Sequence, residues 1–234
     1  MPKRWFPLES NPTVMNAYVE KMGLDTSAYS FHDVFSTEDW ALEMVPKPVV
    51  AVVMLFPIKE KTEEHRLEEQ TRIESSGQVV SPNVYYMKQT VGNACGTVGI
   101  LHAVGNARST VSITPDSYLD RLYTRTATMS PDEIAADIEA DNEIEATHTS
   151  AAEEGQSHQE EGEINTHFVC LSHVDGHLYE LDGRKKFPIN HGPCSADSLL
   201  EGACRVVRSY MERDPEELKF TIVALCKTPV EEDY

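Results

Sequence analysis

Apolar residues recur along this chain at helical spacing in some stretches and run together in others, and the two patterns divide it into helices and strands. Val14, Tyr18 and Met22 fall on one helical stripe behind Asn11-Pro12, an N-cap and a first-turn proline, with Gly23 as the stop. Residues 39–44 read as a short helix ended before Pro46. Residues 49–56 are an unbroken Val-rich apolar run, the pattern of a central strand buried on both faces. Residues 61–73 are charged with few apolar positions and read as a surface helix, and 83–87 as a short strand. Thr114-Pro-Asp opens a helix carrying Tyr118, Leu119 and Leu122, and Ser130-Pro-Asp-Glu133 is a capping box ahead of Ile134 and Ile138. Residues 147–164 show no periodicity and read as a long flexible loop. Residues 166–181 predict a β-hairpin around Asp175-Gly176, 198–211 a helix, and 220–226 a final strand. One α+β domain over 1–234 accommodates these elements, with 229–234 as a tail.

One stretch carries chemistry. Gln89 stands six residues before Cys95, and Val98, Leu101 and Val104 follow at helical spacing. An irregular loop thus delivers a cysteine to the first turn of a buried helix, whose partial positive charge favours thiolate over thiol. Most free cysteines are merely small buried hydrophobes. Gln89 sets Cys95 apart, as a donor placed where an oxyanion could form.

The hairpin supplies two partners. With a two-residue turn, facing residues sum to 351, so Asp182 faces Val169, and His167 points to the same face as Val169. His167 and Asp182 are then diagonal neighbours, roughly 7–8 Å apart at the backbone. That suits a base held in one tautomer by a carboxylate. The other histidines read as bland: His173 and His177 exposed beside the turn, His148 and His158 in the loop, His102 packed on the cysteine helix, His191 in a turn. Cys170 reads as core, and Cys194, Cys204 and Cys226 as packing or surface thiols. In chain order the set is Gln89, Cys95, His167 and Asp182. Cys95 would attack a carbonyl, His167 move the proton, Asp182 orient the imidazole, and the Gln89 amide with the Cys95 backbone N–H stabilise the oxyanion. That is acyl transfer, with the acyl donor open, since transglutaminases and arylamine acetyltransferases use the same three residue types.

Charge and cysteine content narrow the setting. A net charge of −19 over 234 residues argues against nucleic acid or an anionic membrane surface, and favours a basic partner or simple solubility. Five irregularly spaced cysteines form no disulfide framework and no zinc spacing, so neither metal nor cofactor is expected. Without an apolar leader or a membrane-length run, the expectation is a reduced, monomeric cytoplasmic protein with the nucleus also open to it.

The segments Gln89-Thr-Val-Gly-Asn-Ala-Cys-Gly96 and His177-Leu-Tyr-Glu-Leu-Asp-Gly-Arg184 are specific signatures. With Arg4-Trp5, Pro7-Leu8-Glu9, Asn11-Pro12, Phe56-Pro57 and Met211-Glu-Arg-Asp-Pro215, the chain resembles, nearly end to end, the ubiquitin carboxyl-terminal hydrolases, closest to their isozyme L-three branch. The resemblance implies a papain-like cysteine peptidase fold with a knotted backbone, an antiparallel-rich sheet flanked by helices, and residues 147–164 as a crossover loop at the active site. It implies hydrolysis of amide, ester or thioester bonds at the C-terminal glycine of ubiquitin, with Nedd8 as a second modifier and small or unfolded leaving groups preferred. It also implies ubiquitin contacts at Pro7, Leu8, Glu9, Ser10, Asn11 and Pro12, and at Glu217, Leu218, Lys219, Phe220, Thr221 and Ile222. A ubiquitin-binding protein without turnover, or an acyltransferase, would use the same residue types.

Overall fold

Residues 3–155 and 165–229 are described by a computed structural model. Its frame is a six-stranded sheet of β1 (Tyr29–Asp33), β2 (Val49–Pro57), β3 (Thr166–Val174), β4 (His177–Leu181), β5 (Ile189–Pro193) and β6 (Thr221–Lys227). The strands lie in the order β1-β6-β2-β3-β4-β5, every pair antiparallel. β2 is central, and its apolar run is explained by helices on both faces. On one face α1 (Pro12–Met22) and α4 (Cys95–Ala107) pack against the sheet, and α5 (Tyr118–Arg125), α6 (Pro131–Ala140) and α7 (Asn142–Glu154) share their core. The other packs against α2 (Asp39–Glu43) and α8 (Leu199–Arg213), with α3 (Glu60–Ser76) beside α8. This is an α+β arrangement in three layers.

Local chemistry sets the element ends. The Asn11 side chain accepts from the Thr13 N–H at the start of α1, and Gly23 ends it at φ 112° with its N–H on Glu20 and Val19 carbonyls. Ser130 and Glu133 form the expected reciprocal cap of α6. Asp175 (φ 47°) and Gly176 (φ 79°) make the two-residue turn, and the register Val174↔His177, Cys170↔Leu181 is the one the turn length requires.

Three expectations are corrected. Residues 147–154 are not loop but the end of α7, whose start is capped by Asp141 accepting from the Glu143 and Ile144 N–H groups. Ile144, His148 and Ala151 form its buried stripe, thin enough to hide among Ser, Ala and Glu. His148 is therefore core, while residues 156–164, with His158, lie outside the described residues. Residues 83–87 form no strand: the Asn106 side chain bonds both the N–H and C=O of Tyr85, and His102 accepts from the Met87 N–H, so side chains replace a ladder. His191 lies in β5, where its Nε2 meets Glu180 at 2.9 Å, and His173 and His177 are half-buried. Smaller shifts accompany these: α5 starts at Tyr118 behind the Ser117 cap, and β1 and β5 carry no alternation that announces them.

Candidate active site

Cys95 opens α4, where unpaired backbone N–H groups and the helix dipole favour an anion. The helix must come very close to its surroundings. A Cβ on Gly96 would lie 2.8 Å from the Leu8 Cβ, so only glycine lets the N-terminal segment cover this turn.

His167 is 2 % exposed near the start of β3, and Asp182, equally buried, follows β4. The His167 Nε2–H donates to Asp182 Oδ1 at 2.6 Å, and the same oxygen accepts from the Arg184 N–H at 2.8 Å. The diagonal relation expected from the hairpin is thus realised. With Nε2 committed to Asp182, Nδ1 is the nitrogen left to serve the Cys95 thiol, and the two groups shift each other's proton affinity. Phe56 meets the imidazole edge-on at 6.0 Å between ring centroids.

The electrostatics agree with the geometry. Burial by itself would raise the Cys95 thiol, but the hydrogen bond and charge of His167, with backbone hydrogen bonds at Phe168 and Gly96, bring it below its ordinary value. Burial would lower His167, yet the Asp182 charge and hydrogen bond, helped by Cys95, raise it to about 9. Burial opposes ionisation of Asp182 too, and the His167 charge and hydrogen bond overcome it. All three shifts run in the direction that favours a thiolate beside an imidazolium beside a carboxylate.

Gln89 is brought to the same place by a different contact. Its backbone N–H donates to the Gly183 carbonyl at 2.9 Å, one residue past Asp182. Its side-chain Nε2 donates to Val91 O at 3.0 Å, which leaves the second amide hydrogen for another acceptor. The described contacts hold Gln89 to the Asp182 turn rather than directly to the thiol.

The two segments expected to bind a partner are also brought together. The Thr221 hydroxyl donates to Ser10 Oγ at 2.7 Å, although 211 positions separate them. Within them, Leu8 and Ile222 are buried and support the surface, Asn11 and Pro12 are used in opening α1, and Glu217 pairs with Lys59 at 2.8 Å. Pro7, Glu9, Ser10 and Phe220 are half-buried, while Leu218, Lys219 and Thr221 are exposed, Leu218 at 84 %.

Sequence reasoning passed over His148. Its ring bonds the Thr97 hydroxyl at 2.7 Å and the Phe6 carbonyl, and Thr97 in turn meets the Tyr18 hydroxyl at 2.9 Å. This buried chain ties α7, the N-terminal segment and α1 to the helix that carries Cys95. Recognising α7 as a helix would have placed His148 on its inner stripe.

A buried helix start bearing a cysteine, with a carboxylate-oriented histidine on an adjacent sheet, is the arrangement of a papain-like thiol hydrolase. The model of the ubiquitin carboxyl-terminal hydrolase family 1 matches residues 5–212. Ubiquitin carboxyl-terminal hydrolase 3 of Arabidopsis thaliana is 48% identical over 225 residues, 96% of this chain and 95% of the relative. Ubiquitin carboxyl-terminal hydrolase isozyme L1 of Rattus norvegicus is 42% identical over 94% of this chain and 97% of its own length. Among solved structures, the UCH37 catalytic domain of Trichinella spiralis bound to ubiquitin vinyl methyl ester superposes with a TM-score of 0.74 at 20% identity, covering 97% of this chain and 96% of that one. The chain belongs to the ubiquitin carboxyl-terminal hydrolase family, and is a cysteine-type ubiquitinyl hydrolase.

Proposed function

We propose that this enzyme hydrolyses amide, ester and thioester bonds at the C-terminal glycine of ubiquitin through Cys95, His167, Asp182 and Gln89, and that it accepts Nedd8 as a second modifier. The observation that carries the proposal is the Cys95–His167–Asp182 series, with the thiol lowered and the imidazole raised to about 9. The Cys95 thiolate attacks the glycine carbonyl carbon. The C=O electrons move to oxygen, where the free Gln89 amide hydrogen and the Cys95 backbone N–H receive them. Collapse expels the leaving group, which takes its proton from the His167 imidazolium and leaves a thioester. Neutral His167 then removes a proton from water, which attacks the thioester and releases ubiquitin and thiolate. Asp182 keeps the ring oriented throughout.

Residues 7–12 and 217–222 are the surface we assign to ubiquitin, supported by their contact through Ser10 and Thr221. A preference for small or unfolded leaving groups is part of the same proposal. It rests on the resemblance to the family, since residues 156–164, which join α7 to β3, lie outside the described residues.

A ubiquitin C-terminal fluorogenic amide tests the reading. Turnover by the wild type and none by Cys95→Ala is the expected result. Tight binding without turnover identifies a ubiquitin-binding protein instead, and neither result leaves an acyltransferase. The same assay with Nedd8 measures the second modifier, and efficient cleavage of isopeptide-linked diubiquitin would refute the leaving-group preference.

A further inference from the structure

Behind Asp182 lies a buried charge cluster that the reaction as described does not use. Asp182 and Lys185 are the first and last residues of one turn, closed by the Lys185 N–H on the Asp182 carbonyl at 2.9 Å. The Tyr86 hydroxyl lies against both ends of that turn, 2.8 Å from the Asp182 carbonyl and 2.6 Å from the Lys185 carbonyl. The Lys185 side chain then runs inward, only 6 % exposed, and its ammonium donates to Glu69 on α3 and Glu180 on β4, each at 2.5 Å. Glu180 is fully buried with both oxygens partnered: Oε1 also accepts from the Tyr210 hydroxyl at 2.7 Å, and Oε2 bonds His191. Arg213 of α8, over the Tyr210 ring, adds a further charge, and burial and Arg213 hold the nearby His65 of α3 below the ordinary histidine value.

A buried ion cluster is an inefficient way to stabilise a fold, because desolvation offsets most of its attraction. What it does provide is a fixed position. This one is anchored to α3, β4, β5 and α8 and ends on the turn that carries Asp182.

We propose that Lys185 is a positioning residue of the hydrolase: clamped between Glu69 and Glu180, it fixes the Asp182–Lys185 turn and so aims the Asp182 carboxylate at His167 Nε2. Its ammonium is also one of the charges that favour the Asp182 carboxylate form, behind the larger contribution of His167. The proposal rests on the proposed roles of His167 and Asp182.

Lys185→Met alone strands two buried carboxylates and risks unfolding, so the informative variant is Lys185→Met with Glu69→Gln, beside Lys185→Arg. Two measurements are made: the pH dependence of kcat and KM on the ubiquitin fluorogenic amide, and the low-field proton resonance of the His167 Nε2–H. We expect the folded double variant to lose about 10- to 100-fold in kcat, the range for removing a group that orients a functional ligand, with KM unchanged. Its acid limb should move to higher pH and the His167 resonance should shift or broaden, while Lys185→Arg should keep most of kcat. A folded double variant with wild-type kcat, an unmoved acid limb and an unmoved resonance would reduce Lys185 to a structural role. If the wild type itself shows no turnover, the proposed function fails, and the resonance alone decides the role of Lys185.

Discussion

A half-buried thiol and a buried imidazole that interact change each other's proton affinity, and pH therefore reports on their contact. Cys95 lies below its ordinary value and His167 is raised to about 9, shifts that both favour thiolate beside imidazolium. Alkylation of Cys95 should accordingly be fast already near neutrality; a profile centred near about 8.5, the free-cysteine value, would mean that the pair is not assembled in the free enzyme. Asp182→Asn should leave the fold intact and cut kcat by about 10⁴-fold, as loss of imidazole orientation does in serine proteases; unchanged turnover would remove Asp182 from the mechanism. His102 works in the opposite direction. Burial, partly offset by its hydrogen bonds, holds it down to about 4, so it stays neutral in the fold while an unfolded histidine protonates near 6.5. Below pH 6.5 the unfolded state binds the extra proton, so stability falls as pH drops from 6.5 toward 4, by about 3 kcal/mol in all. His102→Gln should flatten that slope in urea titrations at a series of pH values.

At the scale of elements, α4 and the β3–β4 hairpin do most of the positioning. The hairpin's two-residue turn puts His167 and Asp182 on one face, and a slip of one residue would send one of them to the other. Helix α4 presents Cys95 beside the N-terminal segment, with Gly96 packed against Leu8. Gly96→Ala would gain helix propensity, but the added methyl must displace Leu8. We expect a net destabilisation of about 1–3 kcal/mol and a raised KM for ubiquitin substrates, because Leu8 lies in the segment assigned to ubiquitin. A stability and KM equal to wild type would show that the segment gives way freely.

For the whole molecule the dominant fact is charge. Between Arg125 and Arg184 the sequence has no Lys or Arg, and the molecule carries −19 overall. Several acids in this interval are answered from elsewhere: Asp132 by Lys88, Asp137 and Asp141 by Arg125, Glu143 by Arg121, and Glu145 by Lys3. The interval itself stays strongly acidic, and it contains His167 and Asp182. A basic partner should be drawn in faster at low ionic strength. We expect KM for a ubiquitin substrate to rise between low and high salt with kcat unchanged, and a salt-independent KM would exclude steering.

The strongly periodic elements and the candidate site were legible because local rules decide them. Asn11-Pro12, Ser130 with Glu133, and Asp175-Gly176 set their ends by bonds within a few residues, and the hairpin's arithmetic follows from turn length alone. Cys95 at a helix start and the pairing of His167 with Asp182 were readable for the same reason. Long-range contact settled the rest. Helix α7 shows only a thin apolar stripe, and its buried His148 is satisfied by Thr97 and Phe6, which no local pattern announces. Residues 83–87 look like a strand, but the groups that satisfy them belong to α4, so they form none. Edge strands β1 and β5 form because β6 and β4 offer them backbone partners. The meeting of Ser10 with Thr221, and of Lys185 with Glu69 on α3, joins positions more than a hundred residues apart. Such contacts depend on how the layers stack, and that is a property of the assembled core rather than of any stretch of sequence.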